Sequence, residues 1–206
     1  KGIILMIDVI DFNLQTMHKC KKSEKAIYAM LPFFQDTVLM GDSLAESILD
    51  YRLLRKNNVI AKRGRSVDMI DGDMLRVIAL QPRIVFMEYG KNDIYRFRGD
   101  EEAFIKKYKE QIRRLYAHDI TKIYINSIIP MRSDTLAKFG GVTVIARFND
   151  ALRAMCEEMN LTFIDNSYLM QWEDDMFEYD GIHPKYPYYP KWLQNIIKVA
   201  NLKSDE

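Results

Sequence analysis

Cysteine is scarce in this chain. Cys20 and Cys156 are the only two in 206 residues, and they lie too far apart to form a CxxC pair. That excludes a cysteine-rich zinc site and a thioredoxin-type redox motif, and leaves a single disulfide open. Histidine is nearly as rare. His18, His118 and His183 show no HExxH spacing, so no dedicated metal centre and no cofactor are expected. An excess of either charge is also missing: 30 Lys and Arg face 29 Asp and Glu, for a net charge of +1. Such a balance gives no strong pull towards nucleic acid or an anionic membrane. The basic clusters at 19–22 and 106–107 read as solvated helix faces. Long apolar runs are absent as well. The first, residues 3–7, ends at Asp8 and is too short to span a bilayer, and no intact signal peptide is present. Without an internal repeat, a low-complexity tract or a Pro/Gly-rich linker, the economical reading is one domain with a sizeable core.

What the chain does contain is an alternation. Residues 1–35 have no clear pattern beyond a plausible helix at about 23–30 that Pro32 limits, and they read as a leader packed on the outside. The start at Lys1 without methionine, together with this leader, favours an extracytoplasmic or cell-surface protein over a cytoplasmic one. From 36 to 206 a single domain is expected. Short apolar, β-branched runs occur at 37–40, 58–61, 84–88, 122–129 and 162–165. Between them lie helical stripes. Leu44, Ala45, Ile48, Leu49 and Leu53 form the first, and Val67, Ile70, Met74 and Ile78 the second, with Gly72 a candidate break. Phe104, Ile105, Tyr108, Ile112 and Leu115 form the third, Ile145, Phe148, Leu152, Met155 and Met159 the fourth. Trp192, Leu193, Ile196, Ile197 and Ala200 close the chain. Strands of this length alternating with helices give βαβ units and hence a parallel sheet covered on both faces. Right-handed crossovers leave few topologies, and a flavodoxin-like five-stranded order 2-1-3-4-5 is preferred.

In that architecture the carboxyl ends of the strands face one crevice, and reactive residue types stand at several of them. Gly41-Asp42-Ser43-Leu44 follows the first strand, Arg63-Gly64-Arg65-Ser66 the second, and Gly90-Lys91-Asn92-Asp93 the third. Asp180-Gly181-Ile182-His183-Pro184 precedes the last helix. Each alone has an ordinary explanation as a turn or helix cap. Asp180 and His183 could instead join a metal site, but no third ligand is evident. Together they match what acyl transfer from an ester needs. A serine hydroxyl, Ser43, requires a base near neutrality, His183, and the base requires an acid to orient it, Asp180. The N–H groups of Ser43 and Gly64 and the amide of Asn92 could face the oxyanion.

These four segments resemble the blocks of the GDSL, or SGNH, hydrolase family. Gly41-Asp42-Ser43-Leu44 matches the first block, Gly64 the glycine of the second, Gly90, Asn92 and Asp93 the third, and Asp180 and His183 the last. The resemblance spans residues 37 to about 192. It implies a three-layer α/β/α sandwich, a serine esterase with Ser43 as nucleophile, His183 as base and Asp180 as its acid. It also implies an oxyanion hole from Ser43, Gly64 and Asn92. A standard α/β-hydrolase is disfavoured, because the Gly-x-Ser-x-Gly elbow is missing.

The expected substrate is a small-molecule or glycan ester, and the preferred reading is a small acyl group, acetyl, on a carbohydrate or cell-envelope glycan. The motive is the aromatic and basic set Tyr95, Arg96, Arg98, Trp172, Tyr186, Tyr188 and Tyr189, of which most are expected to pack rather than bind. Two alternatives stay open. A lipid-directed esterase would use residues 131–141 or the leader as a groove wall, although a plain surface loop is the preferred reading of 131–141. A catalytically idle binding module would merely retain the fold.

Overall fold

The computed structural model describes residues 30–137, 141–170 and 174–204. The sheet is built from β1 (Thr37–Gly41), β2 (Val59–Ala61), β3 (Ile84–Glu88), β4 (Ile123–Asn126) and β5 (Thr162–Ile164), all parallel, in the order β2-β1-β3-β4-β5. This is the expected order. Every residue of β1 and β3 is buried, as a strand flanked by helices on both faces requires.

Side chains alternate across the sheet and so feed two separate cores. Val38 and Met40 of β1, Val85 and Met87 of β3, and Ile123 and Ile125 of β4 face one side. There they meet α2 (Asp71–Leu80), α4 (Glu101–Tyr116) and α6 (Val142–Glu158) through Met74, Val77, Phe104, Tyr108, Phe148 and Leu152. Leu39, Ile84, Phe86, Tyr124 and Ile164 face the other side. That face is covered by α1 (Ser43–Asp50) and α7 (Tyr188–Ala200), with Ile48, Trp192, Leu193 and Ile196 pointing inward. The result is the three-layer α/β/α sandwich. The short helices α3 (Lys91–Arg96) and α5 (Ser133–Leu136) sit between the larger elements in the chain.

The helical stripes read from spacing are the buried faces. In α4, Phe104, Tyr108, Ile112 and Leu115 are all buried, and Asp100 caps the amino end by accepting from the Ala103 N–H at 2.9 Å. Truncating any of the large members of such a face costs on the order of 3–5 kcal/mol. Trp192 of α7 is both packed and bonded: its indole N–H donates to the Asn126 side-chain Oδ1 at 2.9 Å. Asn126 also accepts from Asn166, and Asn166 from Asn195, so a buried amide chain joins the ends of β4 and β5 to α7.

The structure departs from the sequence reading at three places. The fourth strand ends at Asn126 rather than 129, because both backbone groups of Ile128 are taken by the Asn149 carboxamide of α6 at 2.8 Å. The second stripe breaks at Ile70, between a 3-10 turn (Val67–Met69) and α2, and Gly72 lies inside the first turn of α2. The first stripe leaves its helix before Leu53, which stays buried. At the end of the expected leader, Met30, Phe33 and Phe34 are buried in the α1/α7 core, the last two in a 3-10 turn (Leu31–Phe34). The helix expected at 23–30 falls almost wholly outside the described residues, as do Cys20 and His18. Cys156 is a free, buried thiol whose pKa burial pushes up to about 12. Among the described residues no helix is long and apolar enough to cross a membrane.

Candidate active site

The carboxyl ends of β1 and β3 lie side by side, with Gly41 in register with Glu88 and, on its other side, with Ala61. A side chain at 41 would stand 2.6 Å from the Ala45 Cβ and 2.8 Å from the Glu88 carbonyl, so only glycine lets α1 turn off the sheet this tightly. Asp42 then caps α1, its Oδ1 accepting from the Leu44 N–H at 2.9 Å. Ser43 follows as the first residue of the helix. Its hydroxyl is 2.7 Å from His183 Nε2, across 140 residues of chain. His183 Nδ1 is 2.6 Å from Asp180 Oδ2.

Asp180 holds the turn as well as the imidazole. Its Oδ1 accepts the backbone N–H groups of Ile182 at 2.8 Å and His183 at 3.0 Å. Burial raises its pKa, but these bonds and the imidazole outweigh that and hold the carboxyl below its ordinary value. A carboxylate bonded to Nδ1 directs Nε2 towards the serine in its acceptor form. The arrangement is that of a hydroxyl beside a base that is itself oriented by an acid.

The turn is braced from outside. The guanidinium of Arg132 donates to the carbonyls of Glu178 and Tyr179, and its backbone N–H to that of Gly181 at 2.8 Å. The Thr135 hydroxyl donates to the Asp180 carbonyl at 3.2 Å, and the Lys91 ammonium to that of Ile182 at 2.6 Å. Glu178 N–H closes the loop on the His183 carbonyl. Every carbonyl from 178 to 183 is thus engaged. Gly181 adopts φ +69°, and a Cβ there would meet Thr135 Oγ1 at 2.3 Å.

Opposite the turn, backbone donors are open. The N–H groups of Ser43 and of Gly64, the latter at φ +75°, have no hydrogen-bond partner among the described residues. The first also lies at the positive end of α1. Asn92, the second residue of α3, is placed between them by both of its amide hydrogens: Nδ2 donates to Asp42 Oδ2 and to the Arg65 carbonyl, each at 2.9 Å. It therefore ties the cap of α1 to the loop that carries Gly64. The same loop is anchored by Asp93, which accepts from the Ser66 hydroxyl at 2.6 Å and the Val67 N–H at 2.7 Å. Burial raises the Asp93 pKa to about 7.

Beneath these groups lies a buried charge cluster that sequence reasoning missed. Burial, and then the Asp42 carboxylate, push Glu88 well above the usual carboxylate range. Burial also raises Asp42, against the Leu44 N–H and Lys91. Lys91 falls to about 8 through burial, against the pull of Asp42 and Glu88. The only signal for the cluster was a charged residue, Glu88, at the end of an otherwise apolar strand.

An open cleft of about 790 Å³ adjoins the site, bordered by Gly64, Asn92 and Ile182. Tyr95, Arg96 and Arg98 line it, whereas Tyr188 and Tyr189 pack in the core and Tyr186 against Tyr51. Trp172 lies outside the described residues. In the loop at 131–141, Met131 reaches the cleft, Arg132 and Thr135 brace the Asp180 turn, and 138–140 lie outside the described residues.

A parallel five-stranded sheet between helical layers, with these groups at its carboxyl edge, defines the class: an α/β/α hydrolase fold. Residues 36–187 match the family model of the GDSL-like Lipase/Acylhydrolase family. The chain belongs to that family. Among solved structures it is similar to a GDSL-like lipase from Bacteroides thetaiotaomicron, with 17% identity, 80% of this chain and 87% of that one covered, and a TM-score of 0.62. It is similar to a carbohydrate esterase family 3 protein from Talaromyces cellulolyticus, with 18% identity, coverage of 80% and 96%, and a TM-score of 0.62. A third is a mutant of Axe2, an acetyl-xylooligosaccharide esterase from a Geobacillus, with 12% identity, coverage of 82% and 95%, and a TM-score of 0.63. At these identities the likeness concerns the fold. No curated protein matches the chain in sequence.

Proposed function

We propose that this protein is a serine-dependent ester hydrolase that removes small acyl groups, acetyl foremost, from a carbohydrate or cell-envelope glycan. The observation that carries the chemistry is the relay Ser43–His183–Asp180, with contacts of 2.7 and 2.6 Å. His183 Nε2 takes the hydroxyl proton as Ser43 Oγ bonds to the ester carbonyl carbon. The carbonyl electrons move onto oxygen, where the N–H groups of Ser43 and Gly64 receive the negative charge. Removing one such donor costs roughly 3–4 kcal/mol in enzymes of this kind. Asn92 is the third donor. It must share or release Asp42 or Arg65 to serve, so its net gain is smaller than that of an unpaired N–H. Collapse of the intermediate breaks the bond to the alcohol, which leaves with the proton held by His183. Water then repeats the sequence on the acyl-serine and frees the acid.

Support for a small acyl group comes from the cleft. It is open, and its walls carry Lys91, Arg96 and Arg98 beside the apolar Met69, Met131 and Ile182. A long acyl chain would be buried against charge there, which is costly. The carbohydrate reading also draws on the exposed Tyr95 and on fold neighbours that are themselves carbohydrate or acetyl-xylooligosaccharide esterases. The test is a series of p-nitrophenyl esters of increasing chain length, with Ser43→Ala as the blank. The expected optimum is acetate to butyrate. An optimum at long chains would overturn the small-acyl reading, and equal rates from Ser43→Ala would overturn the serine mechanism.

A further inference from the structure

Among the described residues three cations, Lys91, Arg96 and Arg98, line the cleft beside Asn92 and Gly64, and no carboxylate does. The three are not equivalent. Lys91 is buried, and its charge is engaged by the Ile182 carbonyl and by the Asp42 and Glu88 carboxyl groups below it. Arg96 is paired through Nε with Asp68 Oδ2 at 3.0 Å, and its two terminal nitrogens have no partner among the described residues. Arg98 is exposed, and its guanidinium makes no ion pair or hydrogen bond among the described residues.

A guanidinium offers its N–H donors in a rigid fork that fits a carboxylate or a phosphate. Here one such fork, with the outer edge of a second, stands on the wall of an open cleft whose third cation, Lys91, is already engaged and whose remaining described groups are uncharged. Tyr95, 77% exposed, lies on the same short helix as Arg96 and presents a ring to the same space. A ring beside a cation suits a ligand with an apolar face and an anionic substituent, such as a sugar acid.

We infer that the substrate is an ester of an acidic saccharide. Its carboxylate bonds to Arg98, with the Arg96 edge as a second contact, while its ring lies along Tyr95 and its acyl group reaches Ser43. This rests on the esterase reading given above. A phosphate shares the anion chemistry, but a glycerophosphoryl ester has no ring to place on Tyr95.

Two matched pairs of esters decide it: O-acetylated methyl glucuronoside against O-acetylated methyl glucoside, and acetyl glycerol phosphate against acetyl glycerol. With wild type, kcat/KM is expected to favour the glucuronoside about five- to tenfold, the scale of one partly exposed charge pair. The difference should lie in KM and shrink with added salt. In Arg98→Gln the preference should fall to about one, and Arg98→Lys should keep part of it, with melting curves matching wild type in both. No preference, or one that survives Arg98→Gln, would overturn the inference. A preference confined to the phosphate pair would overturn the saccharide assignment. If wild type hydrolyses none of these and not p-nitrophenyl acetate, the esterase reading fails and this inference with it. Hydrolysis without charge discrimination defeats this inference alone.

Discussion

The two halves of the site are built in opposite ways. On the side of Asp180 and His183 no backbone carbonyl is left without a donor: Arg132, Thr135, Lys91 and the turn's own N–H groups engage each one from 178 to 183. On the side of Ser43 and Gly64 two N–H groups point at nothing among the described residues. Under the mechanism proposed above, the difference has a physical sense. An acid and base must be held still to keep a proton path short, so their frame is saturated. Donors meant for a charge that exists only during reaction gain most if nothing occupies them beforehand. Asn92 stands between the two designs, since its amide is already bonded yet lies beside the open donors.

Breaking the open side should have the larger effect on rate. Asn92→Ala is expected to lower kcat about 10- to 100-fold with KM little changed, because the lost donor acts on the transition state. Steady-state kinetics on a small ester check this, and an unchanged kcat would make Asn92 a strut between Asp42 and Arg65 rather than an oxyanion donor. On the saturated side, Gly181→Ala forces a Cβ into Thr135 Oγ1 at a positive φ. It should lower kcat about tenfold and the melting temperature by several degrees. Thr135→Val removes the hydroxyl that reaches the Asp180 carbonyl at 3.2 Å and the exposed Asp134 Oδ1 at 3.3 Å. About 1 kcal/mol is at stake, so kcat should fall by about fivefold or less, with the melting temperature nearly unchanged.

The smallest effect concerns Asp93 and is read in stability. Its folded pKa of about 7 lies above the ordinary carboxylate value. Between that ordinary value and pH 7 the folded state holds a proton that the unfolded state has lost, so this group's contribution to stability falls as pH rises through the window. Asp93→Asn keeps an oxygen for Ser66 and Val67 but does not titrate. Melting temperatures from pH 4 to 8 should therefore decline less with rising pH in the variant, by about a few degrees across the range. Parallel curves would remove Asp93 as the source.

The same division explains what could be read from sequence. Ser43, Gly64, Asn92, Asp180 and His183 stand at the ends of periodic segments, where a strand stops and a polar cluster begins, and the structure gathers them at one edge of the sheet. Strand order and the buried helix faces were legible for the same reason. The brace was not. Arg132 and Thr135 reach the Asp180 turn from a loop with no period, across about 45 residues, and contacts of that kind leave no spacing to detect. Nor was the burial of Lys91 and Glu88, since a lysine after a turn glycine reads as solvated. The end of β4 was missed because the Asn149 side chain, in a distant helix, replaces the strand's own ladder bonds.

The most direct test of the account is the reaction of Ser43 with a fluorophosphonate, followed by intact mass and by mapping of the adduct. Wild type should gain one adduct, on Ser43. Ser43→Ala should gain none, and His183→Ala should react more than about a hundredfold more slowly, since the hydroxyl loses its base. Folded wild type that stays unlabelled, or an adduct that persists in Ser43→Ala, would contradict the assignment of Ser43 as the nucleophile.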